Sequence, residues 1–306
     1  MKQRYTWRGI VLSGIVFCVF LTVFSIPFYQ YLDCGYQYQD VQAKIEAINQ
    51  ESDTTYDALF LGDSQGWATY SPIQMYGEQG FTSYNACTAG QFPHDAALIL
   101  KKFYQKKKTK LVVVDVNMCY TTVNTIKLLL MKVFPIFHYH NIGQLKSTQD
   151  YSSRKGFNEY TTTVGYSGSL DYMKENRQSS HMRLDCSQAL NQIYDLCQKN
   201  NTQLLMVNTV NPLNWNQKRH DVIQKWCDEH DVKYLDYNET SLNQEIGFDY
   251  SNDFRDGGDH LNLNGSKKIC SNLGAYMKTN YDLSDHRKDE KYQEWNQLYE
   301  DASEYH

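Results

Sequence analysis

The 306-residue chain has no excess of basic charge: 30 Lys and Arg stand against 35 Asp and Glu, for a net charge of −5. The two signs are mixed, with no basic stripe that could track a phosphate backbone, so nucleic acid is not an expected partner. There is no glycine-rich phosphate loop, no Cys-x-x-Cys pair and no Cys/His spacing of the zinc-binding kind. On those grounds no metal and no cofactor is expected. The eight cysteines stand at 18, 34, 87, 119, 186, 197, 227 and 270. Cys18 falls in an apolar run, and the odd number left cannot all pair. Several sit in apolar helix or strand patterns, where a thiol behaves as a small hydrophobe. Mostly buried free thiols are expected, with one disulfide of open pairing as the alternative.

What the chain does have begins at its N-terminus. Gly9 to Leu32 carries no charge, a run of 24 residues, enough to cross a hydrocarbon core of roughly 30 Å as a helix. Lys2, Arg4 and Arg8 precede it and Asp33 follows. The positive-inside rule then keeps the first residues in the cytoplasm and exports the rest. The run is long for a signal-peptide core, and no small-x-small cleavage site follows it. Phe28, Tyr29 and Tyr31 have the look of an interfacial belt. An uncleaved single-pass anchor over 1–32 is expected, with the remainder extracytoplasmic at the cell membrane. Tyrosine is abundant, 25 residues against 13 Phe. Its rings suit sugar or interfacial surfaces, although compositional bias is the favoured account of them.

The length allows one α/β domain of about 230 residues plus appendages. Residues 33–54 read as a stalk, with 35–54 polar and helix-compatible. From 55 to 281 short apolar runs alternate with helical periodicity. Strands are expected over 57–61, 82–86, 111–115, 203–210 and 232–235. Helices are expected from Ser71-Pro72 to Gln79 and from Pro93 to Tyr104. Others are expected around Leu190–Cys197 and Val222–Cys227, and from Asn264 through Met277. The rhythm breaks over 120–180, an expected insertion. Its apolar piece Thr125–Phe137 reads as a lid, as a segment against the bilayer, or as an ordinary packed helix. The charged tail, 282–306, reads as peripheral, with Tyr292, Trp295 and Tyr299 as a docking stripe. Alternation of this kind predicts an α/β fold, a flavodoxin-like three-layer sandwich around a parallel sheet of about five strands.

In such sheets ligands bind beyond the carboxyl ends of the strands. Ser64 follows the first strand, Gly90 and Gln91 the second, and Asn117 the third. His260 follows the fifth, just before the last helix. All fall on one edge of the predicted sheet. The set suits acyl chemistry. A serine hydroxyl needs a neighbouring imidazole to accept its proton. The imidazole needs a carboxylate or carbonyl to fix its tautomer. A tetrahedral intermediate needs preorganised donors, for which the Ser64 and Gly90 N–H groups and the Asn117 amide are candidates. Asp256 and Asp259 are the candidate orienting carboxylates, and His94 is a candidate substrate contact.

Gly62-Asp63-Ser64 together with Asp259-His260-Leu-Asn262 before a last helix resembles the SGNH/GDSL hydrolases, whose four namesake residues would be Ser64, Gly90, Asn117 and His260. The resemblance spans about residues 55–280. It is nearest to membrane-anchored bacterial members of the DltD type, which act on cell-envelope polymers, often beside a membrane-bound O-acyltransferase. It implies an acyl-serine intermediate and either transfer or removal of an O-acyl group on a polysaccharide or teichoic acid. A lipase or thioesterase on small esters, and a catalytically silent partner subunit, are the alternatives. The chain departs from the family pattern at two places. Gly257 stands where an Asp three residues before the His is usual, so Asp256 serves only if the loop accommodates one extra glycine. The block before Asn117 also lacks its usual glycine.

Overall fold

The protein is described from a computed structural model, which covers residues 7–27, 38–121, 126, 129–130, 133–139, 149–175 and 179–302. Its centre is a five-stranded sheet of β1 (Thr55–Leu61), β2 (Ser83–Asn85), β3 (Lys108–Asp115), β4 (Gln203–Asn208) and β5 (Lys233–Asp236). All pairs are parallel and the order is β2-β1-β3-β4-β5, the flavodoxin-like order. The strands are apolar on both faces because helices cover both. Leu59, Leu61, Val112, Val114 and Met206 point into one core layer. Their neighbours Ala58, Phe60, Val113, Leu205 and Val207 point into the other.

The helices are α1 (Trp7–Ser25), α2 (Tyr38–Gln50), α3 (Ser64–Thr69), α4 (Pro72–Gln79), α5 (Pro93–Phe103), α6 (Leu184–Lys199), α7 (Gln217–His230), α8 (Thr240–Glu245), α9 (Leu263–Asn280) and α10 (Gln293–Asp301). Local chemistry sets their starts. The side chains of Asp63, Ser71, Asn216 and Asn262 each accept a first-turn backbone N–H, satisfying donors that a helix start leaves free. Asp95 accepts the Phe92 N–H at 3.0 Å and closes the first turn of α5 from within. One core layer holds α2, α5, α6 and α7. The other holds α3, α4 and α9.

Four segments show how polar composition hides packing. The segment expected as a stalk is, from 38 to 50, the helix α2. It lays Val41, Ile48 and even Lys44 into the domain, and residues 33–37 lie outside the described set. The charged tail carries α10, whose Trp295 packs at 5.2 Å from the Tyr76 ring and 6.4 Å from the Tyr56 ring and donates to Asp53 at 3.1 Å. The expected docking stripe thus docks on its own domain. Of the apolar piece 125–137, residues 125, 127–128 and 131–132 lie outside the description. Ile126, Leu129, Leu130 and Val133 are helical and exposed. The following turn meets the end of α1, where the Ile136 N–H donates to Ser25 Oγ at 3.3 Å. Helix α1 itself, with a mean hydropathy of 2.0, is long and apolar enough to cross a membrane by length and composition. The seven described cysteines are free thiols, all but Cys18 buried.

Candidate active site

The strand order reverses between β1 and β3, and the crevice at such a switch point is where open α/β sheets bind ligands. Here Gly62-Asp63-Ser64 leaves β1 and turns at once into α3, placing Ser64 in the first turn. The turn is tight enough to require glycine. A Cβ on Gly62 would sit 2.6 Å from the Asp115 Cβ. Asp63 caps α3 by accepting the Gln65 N–H at 2.9 Å. Its other oxygen accepts the Asn117 amide at 2.9 Å and the Thr121 hydroxyl at 3.4 Å. One carboxylate therefore joins the ends of β1 and β3. Burial raises the Asp63 pKa, against the hydrogen bonds from Gln65 and Asn117 and the attraction of His260. Asp115, beneath it, accepts the Tyr70 hydroxyl at 2.7 Å and the Asn117 N–H at 3.0 Å. Burial and the nearby Asp63 push it up to about 8.

The Ser64 hydroxyl lies 2.7 Å from His260 Nε2. His260 Nδ1 lies 2.7 Å from Asp256 Oδ2, and the His260 backbone N–H donates to Asp256 Oδ1, also at 2.7 Å. Burial raises the Asp256 pKa, but the hydrogen bonds from the His260 ring and backbone, with the neighbouring charges, bring it below the ordinary value. Asp256 thus stays a carboxylate. A carboxylate only accepts, so it fixes the proton on Nδ1 and leaves the Nε2 lone pair facing Ser64.

The loop that carries His260 is folded for this purpose. Phe254 and Leu261 bridge as an antiparallel pair, and the Arg255 N–H donates to the His260 carbonyl at 3.0 Å. Gly257 and Gly258 form the tip with φ of +83° and +115°. Glycine reaches such angles readily and other residues do not. The double glycine absorbs the extra residue and returns Asp256 to the imidazole four positions on. Part of the insertion holds the loop from outside. Val164 gives its N–H to the Phe254 carbonyl at 3.0 Å and takes the Gly257 N–H at 2.8 Å.

Asp259 turns mainly to other partners. Its Oδ1 accepts from Gln65, Asn214 and Asn211 at 3.0, 2.8 and 3.3 Å. Its Oδ2 comes within 3.4 Å of His260 Nδ1. Ser64, Gly90, Asn117 and His260 meet in one cleft of about 190 Å³, with Asp63, Gln65, Tyr120, Thr121, Asn214, Arg219 and Asp259. Among the described residues, neither the Ser64 nor the Gly90 N–H has a protein partner. The Asn117 amide keeps one N–H beyond the one given to Asp63. These are the donors an oxyanion needs. His94 is not part of the cleft lining; its ring stacks on Phe92 at 5.5 Å. Sequence reasoning missed Gln65, Tyr120, Thr121, Asn214 and Arg219. All five had a positional signal, since Gln65 adjoins Ser64, Tyr120 and Thr121 follow the third strand, and Asn214 and Arg219 follow the fourth, but no residue type among them singled out a role. Asp256, Asp259 and His260 also bring ligand-type atoms within 4.8 Å of one another, but the two hydrogen bonds of His260 already use its ring nitrogens.

In sequence, no family model and no curated protein matches the chain. In structure, it is similar to a GDSL-like lipase from Bacteroides thetaiotaomicron (10% identity, TM-score 0.39, covering 80% of this chain and 98% of that one). It is also similar to a candidate acylhydrolase from Bacteroides fragilis (9%, 0.41, 79% and 97%). A third similar structure is a candidate platelet activating factor from Streptococcus pneumonia (13%, 0.41, 78% and 92%). At this distance the reading of the site rests on its own residues.

Proposed function

We propose that the chain is a serine esterase or acyltransferase of the SGNH type, anchored by α1, that works on O-acyl esters of an extracytoplasmic polymer. The observation that carries the reading is the unbroken relay from Ser64 Oγ to His260 Nε2 and from His260 Nδ1 to Asp256, with both contacts at 2.7 Å. Ser64 Oγ attacks the ester carbonyl as His260 Nε2 takes its proton. The tetrahedral oxyanion lies against the Ser64 and Gly90 N–H groups and the Asn117 amide. The alcohol leaves with the proton from His260, and an acyl-serine remains. Water or an acceptor hydroxyl then attacks, its proton passing to His260 and on to Ser64 as the acyl group departs.

The cleft's size and polar lining favour a short acyl group over a long aliphatic chain, which weighs against a lipase. The hydrogen-bonded serine weighs against a silent subunit. The uncharged run that starts at Gly9, behind Lys2, Arg4 and Arg8, favours an exported, membrane-held enzyme whose substrate is fixed at the envelope, with a membrane-bound O-acyltransferase as a fitting partner.

The test is fluorophosphonate labelling of the detergent-solubilised chain beside p-nitrophenyl acetate hydrolysis. Wild type labels and turns over; Ser64→Ala does neither while keeping its thermal transition. Labelling that persists in Ser64→Ala would place the nucleophile elsewhere.

A further inference from the structure

The cleft holds a cation that the mechanism above does not use. Arg219, in the first turn of α7, lines it together with Ser64 and His260 and is only 6% exposed. Its Nε donates to the Ser179 carbonyl at 2.8 Å, and its Nη1 donates to the Asn214 carbonyl. Its guanidinium lies over the Tyr120 ring at 4.4 Å. These contacts fix the plane of the fork and leave Nη2 without a partner among the described residues.

No described carboxylate pairs with it. The nearest acids along the cleft are already engaged: Asp63 by Gln65, Asn117 and Thr121, and Asp259 by Gln65, Asn211 and Asn214. A cation so buried and matched, among the described residues, only by carbonyls and a ring is costly to keep. The cost is offset when an anion enters. A guanidinium with a free edge, in a helix's first turn, matches a planar carboxylate or a phosphate.

We infer that the ester this cleft processes carries an anionic group, carboxylate or phosphate, near its scissile bond, and that Arg219 binds that group. The inference rests on the serine-esterase reading and names the substrate class for it. It also separates this cleft from one built for neutral acetates or acyl chains, which would have no use for a buried cation beside the nucleophile.

The detergent-solubilised full chain is assayed with three acetate esters of one size class: 4-acetoxybenzoate, 4-acetoxyphenyl phosphate and the neutral 4-acetoxybenzamide. At least one anionic ester is expected to exceed the amide in kcat/KM by about tenfold or more, the scale of one charged hydrogen-bonded contact. Which anion leads distinguishes a carboxylate-bearing from a phosphate-bearing substrate. Arg219→Gln is expected to collapse the anionic-to-neutral ratio towards one, mainly through KM of the anionic ester. Arg219→Lys, which keeps the charge but not the fork, is expected to recover part of it.

A wild-type ratio near one overturns the inference even if the variants do not fold. So does an Arg219→Gln variant that slows all three esters by the same factor, the behaviour of a merely structural arginine. If wild type hydrolyses none of the three, the esterase reading fails on these acetates and binding decides the rest. The probes are then 4-hydroxybenzoate, 4-hydroxyphenyl phosphate and 4-hydroxybenzamide, titrated calorimetrically into Ser64→Ala with and without Arg219→Gln. Arg219-dependent preference for an anion sustains the inference, and equal binding of all three overturns it.

Discussion

Two carboxylates lie near His260 Nδ1, Asp256 at 2.7 Å and Asp259 at 3.4 Å, and their other partners separate their roles. Asp256 spends both oxygens on His260, one on the ring and one on the backbone N–H. Asp259 gives Oδ1 to three amides, from Gln65, Asn211 and Asn214. Asp256→Asn is therefore expected to lower kcat by about 100-fold or more. An amide at that position can donate to Nδ1 and favour the wrong tautomer. Asp259→Asn is expected to cost about tenfold or less, acting through the placement of Gln65 and Asn214. Steady-state kinetics on p-nitrophenyl acetate decides it, and a larger loss at Asp259 would reverse the two assignments. Ser64 and His260 stood out in the sequence because each follows a strand on the same sheet edge. The choice between two aspartates could not be made there, since it depends on the loop backbone and on amides some 45 and 194 positions away in the chain.

At the scale of elements, the glycine pair in the His260 loop is what lets Asp256 reach the imidazole four positions on. Both residues have positive φ, but their surroundings differ. A Cβ on Gly258 would sit 2.6 Å from the Tyr166 ring, whereas one on Gly257 would meet nothing nearer than 3.9 Å. Gly257→Ala is expected to cost about 1–2 kcal/mol, the strain of a left-handed residue alone. Gly258→Ala is expected to cost more and to lower kcat, because relieving the clash moves Asp256 and His260. Thermal melts together with kinetics check this, and equal effects of the two alanines would show that the ring contact adds nothing. The strands and the helices of the repeating unit were legible because apolar runs and helical spacing report burial directly. Helix α3 was not, since six residues hold too few turns for a period to show. The packing of α2, whose segment is helix-compatible in sequence, and helix α10 were not, because their polar residues outnumber the few positions that pack.

On the scale of the whole molecule, α2 is the described element that follows α1, and Lys44 fastens it to the domain. Lys44 is 0% exposed. Its Nζ donates to the Asn85 carbonyl at 2.8 Å and the Gly156 carbonyl at 3.0 Å, and it sits 4.7 Å from the Tyr151 ring centroid. The Tyr151 hydroxyl in turn accepts the Ala89 N–H at 3.4 Å, next to Gly90. One ammonium thus ties α2, β2 and the insertion to the turn that carries Gly90, the proposed oxyanion donor. Burial, opposed only weakly by Cys87 and Asp150, lowers its pKa from 10.5 to about 7. Between about pH 7 and 10.5 the unfolded chain then binds more protons at this site than the folded one. Stability from this group therefore rises with pH across that window and is flat below it. The full shift corresponds to about 5 kcal/mol. Asp115 also titrates in this range, and the Cys87 and Cys119 thiols, which burial holds well above their ordinary value, ionise there only in the unfolded chain, so the comparison is with Lys44→Met, which keeps them all. The variant is expected to gain most over wild type near pH 7 and to lose that advantage as pH rises to 9, where its two abandoned carbonyls become the larger cost. Urea unfolding of both proteins at pH 7, 8 and 9 measures the difference. Parallel stability curves would mean that Lys44 keeps its proton in the folded protein, and that α2 is held to the rest of the domain by a charge rather than by a neutral amine.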